Sequence, residues 1–164
     1  MNDLSLVSLR FSWVVPRMLA GCRGPISREE LHILKEQGIR ALVRLMERHE
    51  NPFHSHELHK EGIVDFHEPV PDTRAPTMEQ ALRVLAFIDR SFKQDHAVAV
   101  ACYGGRGRTG TILGCYLIRQ GMDSHEAIKH LRDLRPGSVE TREQVDFLRE
   151  FERQMNGNGM QDAP

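Results

Sequence analysis

The sequence predicts an α/β fold, and three observations carry that prediction. Short apolar stretches with strand character recur near residues 12, 18, 40, 64 and 98. The segments between them return their apolar residues at helical spacing. Between Ala97 and Gly114 a strand, a glycine-rich turn and a helix start follow one another directly, and such alternation is the mark of α/β domains.

In chain order, residues 1–10 read as a loosely attached arm. Phe11–Val15 and Arg17–Ala20 are two short strands around Pro16, ending at Gly21, with Trp13 packing in the core or at its rim. Ser27-Arg28-Glu29-Glu30 is a capping box; its helix turns Leu31 and Leu34 inward and stops at Gly38. Ile39–Leu45 is the next strand, and Glu47–Asn51 is a polar loop. His54, His56 and His59 gather around Glu57, but no cysteine or further carboxylate stands at ligand spacing. The reading is a solvated histidine-rich helix, with no metal. Gly62 ends that helix, and Ile63–His67 is a strand. Glu68–Pro76 holds Pro69, Pro71 and Pro76, whose fixed φ and missing donors make an exposed, partly stiff loop.

Thr77–Phe92 is an amphipathic helix with Met78, Ala81, Leu82, Leu85, Ile88 and Phe92 on its core stripe. Ala97–Ala101 is a short buried strand, and the helix after the glycine-rich turn carries Ile112, Leu113, Tyr116 and Leu117, with Cys115 and Tyr116 buried. Gly121 closes it. Asp123 or Ser124 caps the next helix, which turns Ala127, Ile128, Leu131 and Leu134 inward. Arg135–Glu140 is a loop. Thr141-Arg142-Glu143-Gln144 is a second capping box, opening a last helix with Val145, Leu148, Phe151 and Met155. Residues 156–164, rich in Gly and Asn, are a frayed tail, so a single domain spans residues 11–155.

At 40% hydrophobic and 27% charged residues, the 164-residue chain has an ordinary globular composition and length for one core. A net charge of −1 argues against general affinity for nucleic acid or anionic membrane. No apolar run approaches the roughly 20 residues of a membrane span, and the N-terminus lacks the pattern of a signal peptide. Cys22, Cys102 and Cys115 are an odd number without framework spacing, which favours a reducing compartment; the cytoplasm is expected.

The chemistry concentrates in CYGGRGRTG, residues 102–110. A strand, glycine-rich turn and helix N-terminus form an anion cradle, because free N–H groups and the positive end of the helix dipole face the turn. A thiol at the start of such a cradle is expected to ionise more readily than usual. Arg108 offers a planar fork for two phosphate oxygens. A thiolate beneath a clamped phosphate is the equipment for phosphoryl transfer to sulfur, with Tyr103, Gly104, Gly105, Arg106, Gly107 and Arg108 lining the phosphate. No metal or other cofactor is needed, since arginine and amides carry the charge that magnesium handles elsewhere. Gly105-x-Gly107-x-x-Gly110 also fits a dinucleotide fingerprint, but that needs an acidic residue about 20 residues on, after a second strand. Residues 111–134 read as helical instead. A Walker loop would need a lysine before Thr109 or Thr111, and a purely structural cysteine accounts for neither Arg108 nor the glycines.

The C-x5-R-[ST] spacing of Cys102, Arg108 and Thr109 resembles the signature of the cysteine-dependent protein tyrosine and dual-specificity phosphatases. Phe11-Ser12-Trp13-Val14-Val15-Pro16, Leu19-Ala20-Gly21, Val70-Pro71-Asp72 and Leu134–Thr141 extend the similarity to the small atypical dual-specificity phosphatases of the VHZ type, over roughly residues 10–153. The resemblance implies a central, mainly parallel sheet flanked by helices, with the cradle at the C-terminal end of a strand. It implies Asp72 as general acid, with Asp65 and Glu68 as local rivals, and Glu140 or Gln144 as holders of the hydrolytic water. Thr109 would donate to the sulfur and make it a better leaving group. Arg74 is a candidate for steering substrate, or a plain surface arginine. The family usually carries histidine before the nucleophile. This chain has Ala101, so a working enzyme with a less activated thiol is expected. Substrates implied are phosphotyrosine proteins, with some phosphoserine and phosphothreonine. Arg106 leaves a phosphoinositide or other multiply phosphorylated substrate as the alternative, and a non-catalytic phosphate-binding module is the alternative of another class.

Overall fold

A computed structural model describes residues 3–158. At its centre runs β5 (Ala97–Cys102), between β2 (Leu19–Arg23) and β3 (Ile39–Arg44), both parallel to it. β4 (Val64–His67) extends the sheet beyond β3 in parallel, and β1 (Ser12–Val15) closes the other edge antiparallel to β2, giving the order β1-β2-β5-β3-β4. The expected mainly parallel sheet flanked by helices is present. Because β1 runs against β2, its first residues lie at the end of the sheet where β2, β3 and β5 finish.

Alternation along β5 divides the core in two. Val98, Val100 and Cys102 face a layer built from α4 (Met78–Phe92), α5 (Gly107–Arg119), α6 (Ser124–Leu134) and α7 (Arg142–Asn158). Ala99 and Ala101 face the other layer, from α1 (Asp3–Ser8), α2 (Arg28–Glu36) and α3 (Ser55–Lys60). Period-two side-chain direction in a strand produces this division. Cys22 lies in the second cluster and Cys102 in the first. All three cysteines are free and buried.

Side-chain caps set the helix starts. Ser27 Oγ accepts from Glu30 N at 3.3 Å at the head of α2. Thr77 and Gln80 cap α4 reciprocally, and Asp123 and Glu126 do so for α6. At α7 the Gln144 amide N–H donates to Thr141 Oγ1 at 3.3 Å.

Several expectations change. Of the arm at residues 1–10, the described part from Asp3 is attached: it holds α1, Leu9 is fully buried, and the Arg23 amide donates to the Leu9 carbonyl at 2.7 Å. The apolar Leu9 side chain joins Leu31 and Leu34 beneath the sheet, which anchors the segment. Leu82 and Leu134 are 43% and 42% exposed, outside the stripes assigned to them. In α4 the buried apolar positions are Val84 and Phe87 as well as Ala81, Leu85 and Ile88, so the stripe is rotated toward the sheet. The glycine-rich turn passes into helix at Gly107, which brings Arg108 and Thr109 into the first turn of α5. Asn156–Asn158, expected as tail, complete α7; the rest of the tail lies outside the described residues.

Candidate active site

Cys102 ends β5 at 2% exposure, and the turn Tyr103–Arg106 carries the chain into α5. Glycine is required at two points of the turn. Gly105 sits at φ +68°, and a Cβ there would lie 2.6 Å from the Arg23 nitrogen and the Cys22 carbonyl carbon, so the turn is pressed against the end of β2. At Gly107 a Cβ would come within 2.6 Å of Glu140 Oε2 and 2.9 Å of the Gln144 amide. Those two side chains rest directly on the start of α5. Tyr103 and Arg106 are exposed at the rim, and Arg106 lies over Gly137.

Arg108 is 2% exposed and held from several sides. Its two Nη atoms donate to the Glu50 carboxylate at 2.8 and 2.9 Å, and Nη1 also reaches the Val70 carbonyl at 3.0 Å. Asp72 Oδ1 stands 3.0 Å from Nη2. Burial opposes the guanidinium charge, but the bonds to Glu50 and the charges of Cys102, Glu50 and Asp72 outweigh it and raise the arginine pKa. The same pair, chiefly through hydrogen bonding to Arg108, holds the Glu50 carboxyl below the usual carboxylate range. Two buried donors of this first turn are unpartnered among the described residues: Arg108 Nε and Thr109 Oγ1.

The proline-rich loop is tied to α7. Thr141 Oγ1 donates to the Thr73 carbonyl at 3.0 Å, Gln144 Nε2 donates to the Arg74 carbonyl at 3.1 Å, and Glu143 accepts from the Ala75 amide at 3.1 Å. Arg74 pairs with Glu143 at 3.1 Å. Asp72, with a 63% exposed side chain, is the loop carboxylate brought to Arg108. Its rivals are occupied elsewhere. Asp65 is bound by Arg44, Ser55 and His59. Glu68 takes two bonds from Arg83 at 2.9 Å, and these hold its carboxyl low.

Such a constellation can bind a phosphate dianion, present a sulfur to phosphorus and bring a carboxyl to the departing oxygen. The family model described as "Swiss Army Knife protein, DSP-PTPase phosphatase domain" matches residues 8–148. The chain belongs to this dual-specificity and tyrosine phosphatase family. Among relatives, dual specificity protein phosphatase CDC14B of Mus musculus is 33% identical over 145 residues, covering 79% of this chain and 28% of the relative. Cyclin-dependent kinase inhibitor 3 of Sus scrofa is 31% identical over 96 residues, covering 57% of this chain and 45% of the relative. The chain thus spans less than half the length of these relatives. Tk-PTP, solved in the active form, is 36% identical with a TM-score of 0.79, covering 84% of this chain and 92% of its own. PTPMT1 in complex with PI(5)P, at 20% identity and a TM-score of 0.80 over 87% of this chain and 95% of its own, shares the fold.

Within this domain Cys102, Arg108, Thr109, Asp72, Glu140 and Gln144 lie together at one end of the sheet. Gln144 differs in detail. It is fully buried, its Oε1 accepts from the Glu140 and Thr141 amides at 2.9 and 3.2 Å, and its Nε2 serves Arg74. With Oε1 and one Nε2 N–H engaged it clamps the loop carrying Asp72, and the second Nε2 N–H takes no part in these bonds. Sequence reasoning missed Glu50, placed in a polar loop. The usable signal was that a loop following a parallel strand lies at the binding end of the sheet.

Proposed function

We propose that this domain hydrolyses phosphotyrosine in proteins, with some phosphoserine and phosphothreonine, through a cysteinyl-phosphate intermediate. The observation that carries the reading is the pair of unpartnered buried donors, Arg108 Nε and Thr109 Oγ1, in the loop that Cys102 opens. A buried donor without an acceptor is costly, by about 1–3 kcal/mol, and a bound phosphate oxygen and a thiolate supply the missing acceptors.

In the first step the Cys102 sulfur attacks phosphorus, forming the S–P bond as the ester P–O bond breaks. The amides of residues 103–108 and the Arg108 fork bind the equatorial oxygens. Phosphate competes with Asp72 for Arg108, which frees the Asp72 carboxyl to protonate the leaving oxygen. In the second step water attacks phosphorus, Asp72 accepts its proton, and Glu140 orients it from its position on Gly107. Thr109 donates to the departing sulfur. Gln144 and Thr141 hold the Asp72 loop in place.

The names of relatives, among them a dual specificity protein phosphatase of Mus musculus and a tyrosine-protein phosphatase of Caenorhabditis elegans, support a protein substrate. Three free thiols suit a reducing compartment, and the cytoplasm is the proposed location.

The test is turnover of a phosphotyrosine peptide in chelator, with vanadate as inhibitor, beside phosphoserine, phosphothreonine and inositol phosphate substrates. Cys102→Ser should abolish turnover and retain phosphate affinity. Substantial turnover by that variant overturns the mechanism. A higher kcat/KM for inositol phosphates replaces the substrate assignment.

A further inference from the structure

A second buried cation stands beside the catalytic loop, outside the residues assigned above. Arg135 follows α6 and is 6% exposed. Its Nη1 donates to the Arg10 carbonyl at 3.0 Å, Ser12 Oγ at 2.5 Å and the Gly21 carbonyl at 2.6 Å, and its Nη2 donates to the Gly105 carbonyl at 2.6 Å. Its Nε has no partner among the described residues. All four acceptors are neutral, and no carboxylate among the described residues pairs with it.

A guanidinium remains charged even when buried, so this charge needs a counterpart. Burial weakens the Arg135 charge, and the charged or ionisable groups acting on it are Cys22, Cys102 and Arg10. Arg10 is a like charge. Burial pushes the Cys22 thiol up to about 12, so Cys22 is neutral at physiological pH. Cys102 is the one group of the three that can supply the anion. Ala101, next to it in the strand, offers no polar side-chain atom.

We propose that Arg135 is a positioning residue: it fixes the outer wall of the catalytic loop through the Gly105 carbonyl and supplies a buried positive charge that favours the Cys102 thiolate. The other groups facing this end of the sheet divide by sign. Arg108 from α5, Arg106 from the loop itself and Arg10 ahead of β1, whose Nη1 reaches the Gly104 carbonyl at 3.2 Å, add to the effect. Glu50 from the turn after β3, Asp72 from the proline-rich loop and Glu140 ahead of α7 oppose it. Arg23 from β2 is paired with Glu30 at 2.5 Å. Arg135 therefore shares with Arg108 the task of offsetting these carboxylates.

The inference rests on Cys102 being the nucleophile, and its test is read on the thiol rather than on turnover. The rate of alkylation of Cys102 by iodoacetamide is measured against pH in the parent, Arg135→Gln and Arg135→Lys; Cys22 and Cys115 are fully buried and do not compete. Arg135→Gln should move the inflection upward by about one pH unit, the effect of one nearby opposite charge. Arg135→Lys, which keeps the charge and loses the fork, should leave the inflection in place while KM rises. Circular dichroism establishes that each variant is folded, and either variant alone decides. An unmoved inflection in Arg135→Gln, or a shift in Arg135→Lys as large as that expected for Gln, overturns the proposal. Absence of phosphatase turnover in the parent would sink the catalytic reading without altering the alkylation curves.

Discussion

Replacing Glu50 tests whether Arg108, the proposed phosphate clamp, is aimed by its partner. Glu50→Ala removes the bonds at 2.8 and 2.9 Å and leaves a guanidinium with a 1% exposed side chain to the Val70 and Leu45 carbonyls and Asp72. Breaking a buried ion pair costs about 3–5 kcal/mol. Because the Glu50 side chain is 10% exposed and the Val70 and Leu45 carbonyls and Asp72 remain as partners, the lower end, about 3 kcal/mol, is expected. For a chain of this size that is a fall in Tm of about 6–12 °C. A fork displaced by an ångström should lower kcat/KM about 100-fold. Glu50→Gln keeps one acceptor and should lose roughly 1.5 kcal/mol. The pH dependence has a definite sign. The Glu50 carboxyl is held below its ordinary value near 4.5, so its contribution is fully present above that pH and fades as pH falls through the lower folded value. Thermal melts of the parent and Glu50→Gln should differ most at neutral pH and converge in acid. The assay pairs these melts with aryl phosphate kinetics. A Glu50→Ala protein with kcat/KM within about twofold of the parent would refute the reasoning.

Asp72→Asn should lower kcat by about 10²–10⁴-fold, more for alkyl than for nitrophenyl leaving groups, which need little protonation; equal losses on both would remove it as the acid. Gly105→Ala combines a φ of +68° with a Cβ 2.6 Å from backbone atoms of β2, so activity should collapse and stability fall by more than the ~1–2 kcal/mol of the left-handed conformation alone, as melting would reveal. Gln144→Leu strands the Arg74 carbonyl and should lower kcat for substrates with poor leaving groups while phosphate affinity stays constant; a change in affinity alone would argue for direct phosphate contact. Ala101→His places an imidazole at a fully buried site among Cys22, Leu42 and Ala99 and should destabilise the fold by about 1–3 kcal/mol through overpacking, so unchanged melting would show that the site has room.

What could be read in advance follows the range of the forces involved. Cys102, the glycines and Arg108 lie within seven residues, and a strand–turn–helix unit declares itself locally. The Thr141–Gln144 cap was legible for the same reason. Asp72 came through the family likeness, because nothing local separates it from Asp65 or Glu68. Their different partners, Arg108, Arg44 and Arg83, emerge only on folding. Glu50 and Arg135 stayed hidden because their meaning depends on sheet order. β2, with β1 hairpinned onto its far edge, and β3 are brought to the two sides of β5 by crossovers that no short window records. Leu9 misled for another reason: a ten-residue arm carrying Leu4, Leu6, Val7 and Leu9 is shorter than the stretch over which an apolar period declares itself.

The docked N-terminal arm has a practical consequence. Arg10 lies at φ +48°, its side chain reaches the Gly104 carbonyl at 3.2 Å and its own carbonyl receives Arg135. α1 sets that backbone, since the Phe11 amide closes onto the Leu6 carbonyl at 3.0 Å. A recombinant fragment trimmed to the family-matched span, starting at Ser8, would retain every proposed reacting group and yet release the strut behind the proposed phosphate cradle. Silence from such a fragment would report a mechanical fault in its design, so affinity tags belong at the opposite terminus.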